Sequence, residues 1–237
     1  MRVLAITSQK GGSGKTTLAG HIAVEAERAG AGPVALIDTD PQGSLAAWWN
    51  VREAPTPAFV HTHVSRLADD IQEMRALGHK LLIIDTPPAI TSTISHVIRV
   101  SDLVVIPTRP SPHDLRAAGS TVELIENLGK PLVFVINGAA TRARITTQAA
   151  IALSQHGPLA PSIIHQRTDF AASMIDGRTV MELPGKSRSC DEITQLWQYL
   201  SDRLETRVRR TSLPSGQTIL VSNQRQYGDG ARRQEVR

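Results

Sequence analysis

The chain has 237 residues, is 41% hydrophobic and carries a formal net charge of +4. Its single cysteine, Cys190, excludes an intramolecular disulfide and a cysteine-based metal cluster, and no stretch approaches the ~20 consecutive apolar residues of a membrane-spanning helix. Residues 206–237 contain seven arginines and two acidic residues, a net of +5, so residues 1–205 sum to −1. The positive charge therefore belongs mainly to the C-terminal segment, and it does not by itself make the folded part a nucleic-acid-binding domain.

Short apolar runs alternate with helix-like segments along the chain. The predicted strands cover residues 2–7, 33–37, 80–84, 103–107, 132–136 and 162–164, and the loop at 53–63 has room for a short edge strand. The predicted helices cover residues 16–29, 45–49, 65–77, 94–100, 112–128, 146–155, 169–175 and 191–209, with Ser65 as the expected N-cap of the third. This alternation predicts an α/β fold, in which a mostly parallel twisted sheet is covered by helices on both faces. We expect one domain over residues 1–210 and a basic, disordered tail over residues 211–237.

A glycine-rich loop, QKGGSGKTT at residues 9–17, connects the first predicted strand to the first predicted helix. Consecutive glycines let backbone N–H groups curl around phosphate oxygens, and the following helix directs the positive end of its dipole at the same anion. Lys15 can reach the β- and γ-phosphates of a nucleotide, and the Thr16 hydroxyl can ligate Mg²⁺. The predicted phosphate-binding residues are Gly11, Gly12, Ser13, Gly14, Lys15, Thr16 and Thr17.

The loop departs from the common phosphate-loop pattern at two positions. The usual first glycine is replaced by Gln9, and a second lysine, Lys10, precedes the double glycine. This arrangement is the deviant Walker A motif, and with it the chain resembles the ParA/MinD family of P-loop ATPases. The resemblance implies an ATPase that uses Mg²⁺ and forms a homodimer when ATP is bound, with Lys10 contacting the phosphates held by the partner subunit. Lys10 and Lys15 are accordingly predicted to be catalytic.

Acidic side chains follow two of the predicted strands. Because the carboxyl ends of parallel strands meet at one edge of a sheet, we expect these side chains to converge on the glycine loop. The resemblance implies that Asp40 is catalytic and activates the attacking water, while Asp38 lies near the loop lysine and the Mg²⁺ shell. An ordinary Asp-Pro turn is the alternative for this pair. Asp85 follows four apolar residues, which is the Walker B pattern of a strand that delivers one carboxylate to Mg²⁺.

Asn137 directly follows the strand predicted at 132–136. An amide can both donate and accept hydrogen bonds at the edge of a purine, and the resemblance implies that Asn137 contacts the adenine. A helix N-cap is the alternative role for this residue. The resemblance also implies ATP rather than GTP, and the sequence contains no N-K-x-D motif.

Two proline-containing stretches, 101–107 and 110–114, resemble the small ParF-type plasmid-partition ATPases, as does Gln166-Arg167. The resemblance covers residues 2–205. It implies that the ATP-bound dimer binds DNA without reading its sequence, and that a ParB- or ParG-like centromere-binding adaptor stimulates hydrolysis to drive plasmid or chromosome partition. Such a protein is cytoplasmic and associated with the nucleoid. The predicted DNA-binding residues are Arg142, Arg144, Arg167, Arg178, Lys186 and Arg188.

Three other functions stay open at the level of sequence. One is a MinD-like ATPase that cycles on membranes, and another is a metabolic P-loop ligase. The last is an ATPase that positions a different cargo, such as an organelle or a chemoreceptor array. A membrane-cycling protein would need a C-terminal amphipathic helix with a bulky apolar face. The apolar stripe Trp197, Leu200, Leu204 and Val208 is instead expected to dock on the domain, so we expect no membrane partner.

Overall fold

A computed structural model describes residues 1–89 and 92–211 of the chain. The strands are β1 (Arg2–Ile6), β2 (Val34–Asp38), β3 (Ala58–Phe59), β4 (Leu81–Asp85), β5 (Leu103–Thr108), β6 (Leu132–Ala139) and β7 (Ile164–His165). The helices are α1 (Lys15–Arg28), α2 (Ser44–Asn50), α3 (Leu67–Ala76), α4 (Ser92–Val100), α5 (Pro112–Asn127), α6 (Arg144–Ser154), α7 (Thr168–Met174) and α8 (Arg188–Thr211). Beyond residue 211, the predicted basic tail lies outside the described residues.

The strands pair in parallel in the spatial order β3-β2-β4-β1-β5-β6-β7. Parallel neighbours need long crossover connections, and the helices provide them on both faces of the sheet. The short strand β3 occupies the edge next to β2, inside the segment where an edge strand was expected. The predicted α/β fold class is confirmed.

The core explains why the central strands are apolar at nearly every position. Leu4 and Ile6 of β1 face the cluster formed with α1, α2, α7 and α8, whereas Val3 and Ala5 face α3 and α4. A third cluster packs α4, α5 and α6 against β5 and β6. Since both faces are covered, alternate residues of one strand are buried in different layers, and the usual alternation of apolar and polar residues disappears.

Strand β4 lies between β1 and β2, and this order brings the functional loops together. Asp85, the last residue of β4, is in register with Ile6 of β1 and with Asp38 of β2. The glycine loop, the Asp38–Asp40 turn and Asp85 therefore leave the sheet side by side at its carboxyl edge. This is the convergence that the sequence predicted.

Two local expectations were wrong. Ser65 is not an N-cap, because a 3₁₀ turn at Val64–Arg66 precedes α3 and its cap is His63, whose ring accepts a hydrogen bond from the Ser65 N–H. The helix N-cap alternative for Asn137 is also excluded, since β6 extends to Ala139 and α6 begins only at Arg144. Pairing with β5 and β7 on both sides keeps this longer segment extended.

Helix α8 packs its apolar stripe into the core. Trp197, Leu200 and Leu204 are at most 5% exposed and belong to the cluster that contains α1. The expectation that this stripe docks on the domain is confirmed for these three residues, and the side chain of Val208 lies outside the described part. No described helix is both long and apolar enough to cross a membrane.

A buried histidine joins α1 to the segment before α8. The His21 Nδ1 lies 2.7 Å from the Thr17 carbonyl oxygen, and its Nε2 accepts a hydrogen bond of 3.2 Å from the Val180 N–H. The ring is 0% exposed and makes an edge contact with Phe170. Burial lowers the pKa of His21 to about 4, although the Thr17 carbonyl and Glu182 oppose this effect. The imidazole is therefore neutral at pH 7, with its proton on Nδ1.

This histidine should make the folded state sensitive to acid. In the unfolded chain the His21 imidazole takes up a proton below its pKa of ~6.5, whereas in the folded chain it does so only near pH 4. The contribution of the neutral imidazole to stability is therefore present above pH 6.5 and is lost as the pH falls. Between pH 7 and 4.5 we expect His21 to account for a loss of about 2–3 kcal/mol in unfolding free energy, measured by urea denaturation.

The variant His21→Gln should lose less stability over that pH interval than the wild type, even though its stability at pH 7 is lower. His96→Gln is the matched control, because His96 is exposed. Equal pH dependence in the wild type and His21→Gln would contradict the prediction.

Candidate nucleotide site

A cavity of about 720 Å³ opens at the carboxyl edge of the sheet. The glycine loop forms one wall, and the other walls come from α2, from the loop after β4, from the turn after β5 and from the end of α7. The lining residues are Gly11, Gly12, Gly14, Lys15, Thr16, Thr17, Asp40, Ser44, Ala47, Trp48, Val51, Pro88, Arg109, Met174 and Ile175. A cavity of this size, with backbone N–H groups and a lysine at its floor, suits a nucleotide.

A side chain of β6, Asn137, stabilises the glycine loop. The Asn137 Nδ2 donates a hydrogen bond of 2.6 Å to the Ser13 carbonyl oxygen. Gly14 has φ +91°, and a Cβ on it would lie only 2.1 Å from Asn137 Nδ2, so no other residue fits there. Asn137 thus fixes the shape of the loop, while its contact with adenine stays a prediction.

Gln9, which replaces the usual first glycine of the loop, makes a side-chain contact that a glycine could not make. Its Nε2 donates a hydrogen bond of 2.5 Å to the Ser120 hydroxyl of α5, which ties the loop to the neighbouring helix. Lys10 follows with an exposed side chain and a backbone N–H that donates to the Ser8 hydroxyl. Exposure leaves Lys10 accessible to a second subunit, and its contact with the partner's phosphates stays a prediction.

Lys15 and Thr16 open α1 at the floor of the cavity. Lys15 is buried, and burial lowers the pKa of its ammonium group, although Asp85 and Asp40 act in the opposite direction. The Thr16 Oγ1 donates a hydrogen bond of 2.6 Å to Asp85 Oδ2. The structure therefore brings together the predicted phosphate-binding lysine, the predicted metal-binding hydroxyl and the predicted Walker B carboxylate.

Asp85 is 1% exposed, and its environment is unusual for a carboxylate. Burial raises the pKa of Asp85 to about 7, the Thr16 hydroxyl opposes this shift, and the nearby charge of Asp38 adds to it. A buried carboxyl oxygen next to a threonine hydroxyl is the hard oxygen donor set that Mg²⁺ prefers. The residues present therefore fit a Mg²⁺ ion held by Thr16 and Asp85 together with nucleotide phosphates.

The two carboxylates after β2 do different things. Asp38 accepts hydrogen bonds from the backbone N–H groups of Asp40, Leu45 and Ala46 at 2.9–3.1 Å, so it closes the turn and caps α2. Asp40 lines the cavity, and its Oδ1 accepts from the Gln42 N–H. Asp38 thus has a clear structural task, and its predicted place near Mg²⁺ stays a prediction, as does the catalytic role of Asp40.

Several cavity residues were missed by sequence reasoning. Arg109 lies directly after Thr108, the last residue of β5, so the rule that functional residues follow parallel strands could have found it. Trp48 of α2 is 4% exposed and packs on Gly20 of α1 while also lining the cavity. Met174 and Ile175 enter from α7, and no local sequence signal places α7 opposite the glycine loop.

Residues 4–180 match the family profile described as the CobQ/CobB/MinD/ParA nucleotide binding domain. The chain belongs to this family. It is 31% identical to the maintenance of carboxysome distribution protein A of Halothiobacillus neapolitanus, over 81% of this chain and 93% of that protein. It is 27% identical to the protein ParA of Rhizobium radiobacter, over 78% of this chain and 88% of that protein.

The fold also matches solved structures of the ParA/MinD class. The septum site-determining protein MinD of Pyrococcus horikoshii, solved with Mg-ADP, superimposes with a TM-score of 0.70. The match covers 84% of this chain and 95% of that one at 15% sequence identity. At this identity the likeness shows a shared P-loop fold, and the nucleotide-binding assignment rests on the family match.

The cationic residues predicted to bind DNA fall into two groups in this ParA/MinD-family domain. Arg167 is half-buried and donates to Glu192 Oε1 at 2.6 Å, and Arg178 pairs with Asp176 at 2.7 Å. Burial acts to raise the pKa of Glu192, but hydrogen bonds from Arg167 and His165 lower it overall. These two arginines are already engaged within the domain.

The other four candidates are exposed. Arg142 lies between β6 and α6 and Arg144 is the first residue of α6, at the carboxyl edge of the sheet. Lys186 lies just before α8, and Arg188 is the first residue of α8. Among the described residues, none of the four has a recorded ion pair or side-chain hydrogen bond. Exposed cations without carboxylate partners are free to approach a phosphate backbone. Contact with DNA stays a prediction for all six candidates.

The hydrogen bond from Asn137 to the loop yields a test that separates its two roles. Asn137→Ala removes one partly buried hydrogen bond, worth about 1 kcal/mol, so the Kd for ADP should rise about fivefold in equilibrium fluorescence titrations. If Asn137 acts through the loop, the Kd for pyrophosphate should rise by the same factor.

Asn127→Ala is the matched control, because Asn127 is exposed at the end of α5 and should leave both affinities unchanged. A loss confined to ADP, with pyrophosphate unaffected, would show that Asn137 acts on the base rather than on the loop.

Proposed function

We propose that the chain is a Mg²⁺-dependent ATPase of the ParA type, which dimerises on ATP, binds DNA without sequence preference and positions a cargo through a ParB- or ParG-like adaptor. The observation that carries the proposal is that a deviant Walker A loop and Asp40 line one cavity, while Thr16 of that loop is hydrogen-bonded to the buried Asp85. The family match over residues 4–180 supports nucleotide binding, and the structurally similar MinD of Pyrococcus horikoshii was solved with Mg-ADP.

Each group of residues at the site has its own role in the proposed hydrolysis of ATP. The backbone N–H groups of the glycine loop and the ammonium group of Lys15 bind the β- and γ-phosphates and stabilise the charge that develops between them. Mg²⁺, when held by Thr16 and Asp85, supplies further positive charge to the same oxygens. Asp40 faces the cavity and orients the attacking water. Burial of Lys15 strengthens its attraction to phosphate, since water screens it less.

Lys10 gives the proposed cycle its link to dimerisation. The side chain is exposed, whereas Lys15 five residues later is buried in the cavity of its own subunit. A second subunit that approaches the cavity mouth would place its own Lys10 near these phosphates. ATP then holds the dimer together, and hydrolysis releases it.

The proposed DNA-binding face is the carboxyl edge next to β6. Arg142 and Arg144 are exposed there, and phosphate contacts of this kind position a protein on DNA without reading bases. The buried stripe of α8 supports DNA over a membrane surface, because its described apolar residues are occupied by the core.

Asp40 can be tested without disturbing its turn. Asp40→Asn keeps an oxygen that accepts from the Gln42 N–H but removes the charge, so kcat for ATP hydrolysis should fall by ~100-fold or more while ATP still binds. Phosphate release measures the rate, and light scattering after size exclusion should show an ATP-bound dimer that persists.

Asp69→Asn, on the exposed face of α3, is the control and should hydrolyse ATP at the wild-type rate. If Asp40→Asn also turns over at that rate, another group handles the water.

DNA binding should respond to the exposed arginines more than to the paired ones. The double variant Arg142→Gln, Arg144→Gln should weaken ATP-dependent binding to two unrelated duplexes equally and reduce the log–log salt slope by about two. Fluorescence anisotropy at several salt concentrations measures both quantities. Arg178→Gln is the matched control, because Arg178 is paired with Asp176.

Two further experiments test the contribution of the basic tail to DNA binding and the alternative of membrane binding. A chain truncated near residue 210 separates the contribution of the basic tail from that of the domain. Wild-type protein that ignores DNA but pellets with anionic liposomes would refute the DNA-binding proposal in favour of a membrane-cycling ATPase.

The cargo has two candidates, and each is favoured by a relative. The Rhizobium radiobacter relative is named ParA, which favours a DNA cargo carried by a centromere-binding adaptor. The Halothiobacillus neapolitanus relative is named for carboxysome distribution, which favours a protein compartment. The protein encoded beside this chain decides between them: stimulation of ATP hydrolysis that requires a specific DNA site supports partition, and stimulation by a compartment-binding protein supports positioning.

A further inference from the structure

Arg109 stands on the wall of the nucleotide cavity without an assigned role. It follows the last residue of β5, and Pro110 after it restricts its backbone to extended conformations. The Arg109 carbonyl also accepts a hydrogen bond of 2.7 Å from the N–H of Ser111, the N-cap of α5. The start of its side chain is therefore fixed between a buried strand and a capped helix.

The guanidinium lies against two glycines. A Cβ on Gly12 would lie 3.8 Å from Arg109 Nη2 and 3.9 Å from Nη1, and a Cβ on Gly138 would lie 3.6 Å from Nε. Both glycines have positive φ, +71° and +63°, so their backbone conformations already favour glycine. The guanidinium thus rests between the outer turn of the phosphate loop and the end of β6.

Other well-placed arginines in the domain have carboxylate partners. Arg52 pairs with Glu182, Arg167 with Glu192 and Arg178 with Asp176. Within the described residues, the Arg109 guanidinium has no recorded ion pair or hydrogen bond. Arg109 is exposed and lines the same cavity as the phosphate loop, so its five N–H donors are available to an anion bound there.

We propose that Arg109 is a nucleotide-binding residue that contacts the phosphate chain from the side of β5 and β6, while Lys15 contacts it from α1. The proposal extends the nucleotide binding on which the proposed function rests. A planar guanidinium can donate two parallel hydrogen bonds to phosphate oxygens, and it closes over the loop at Gly12. Arg109 binds ATP and ADP alike, because it acts within one subunit and requires no dimer.

The test measures affinity for fluorescent ADP and ATP analogues at protein concentrations where the chain is monomeric. Arg109→Gln should raise the Kd for both nucleotides about tenfold, the loss expected for hydrogen bonds to a charged group. Arg109→Lys keeps the positive charge but cannot donate two parallel hydrogen bonds, so it should lose part of this affinity. Arg116→Gln, an exposed arginine on α5, is the matched control and should bind both nucleotides as the wild type does.

Two outcomes would overturn the proposal. In one, Arg109→Gln binds ADP within twofold of the wild type. In the other, ADP affinity is unchanged and only ATP-driven dimerisation falls, which would make Arg109 a contact between subunits. Lys15→Ala is measured beside Arg109→Gln. If the wild type binds no nucleotide, the proposed function is refuted. If Lys15→Ala loses nucleotide binding but Arg109→Gln does not, only the role of Arg109 is refuted.

Discussion

A buried carboxylate at the end of a central strand organises this protein. Asp85 lies in register with Asp38 on one side and with Ile6 on the other, and it accepts a hydrogen bond from Thr16 at the start of α1. A carboxyl group in this interior is unfavourable unless hydrogen bonds or a cation stabilise its charged form. The strand order β2-β4-β1 is what brings these groups together, so the site depends on the topology of the sheet.

The shape of the phosphate loop is set largely by residues outside it. Asn137 donates a hydrogen bond to Ser13 and lies against Gly14, Ser120 of α5 accepts a hydrogen bond from Gln9, and Arg109 lies next to Gly12. Each of these contacts comes from β5, β6 or the helix between them. These contacts restrain the loop, and a restrained loop loses less conformational entropy when it binds a ligand.

The arginines of the domain differ in whether a carboxylate partner already occupies them. Arg52 and Arg167 are each held by a glutamate, and these pairs connect distant segments of the chain. A phosphate would have to compete with those carboxylates. Arg109 and Arg142, by contrast, lie at the carboxyl edge without such partners among the described residues. Pairing thus separates the arginines that hold the fold from those proposed to bind ligands.

The sequence by itself determined the parallel α/β fold, the phosphate loop, and the placement of Asp40, Asp85 and Asn137 at one edge. Its signals are local, because apolar periodicity, glycine conformations and strand ends act over a few residues. Only the tertiary structure decided what Asn137 and His21 contact, since their partners lie 124 and 159 residues away. The same holds for Arg109 above Gly12: which cation reaches the loop depends on how β5 is placed beside β1, and no local pattern encodes that distance.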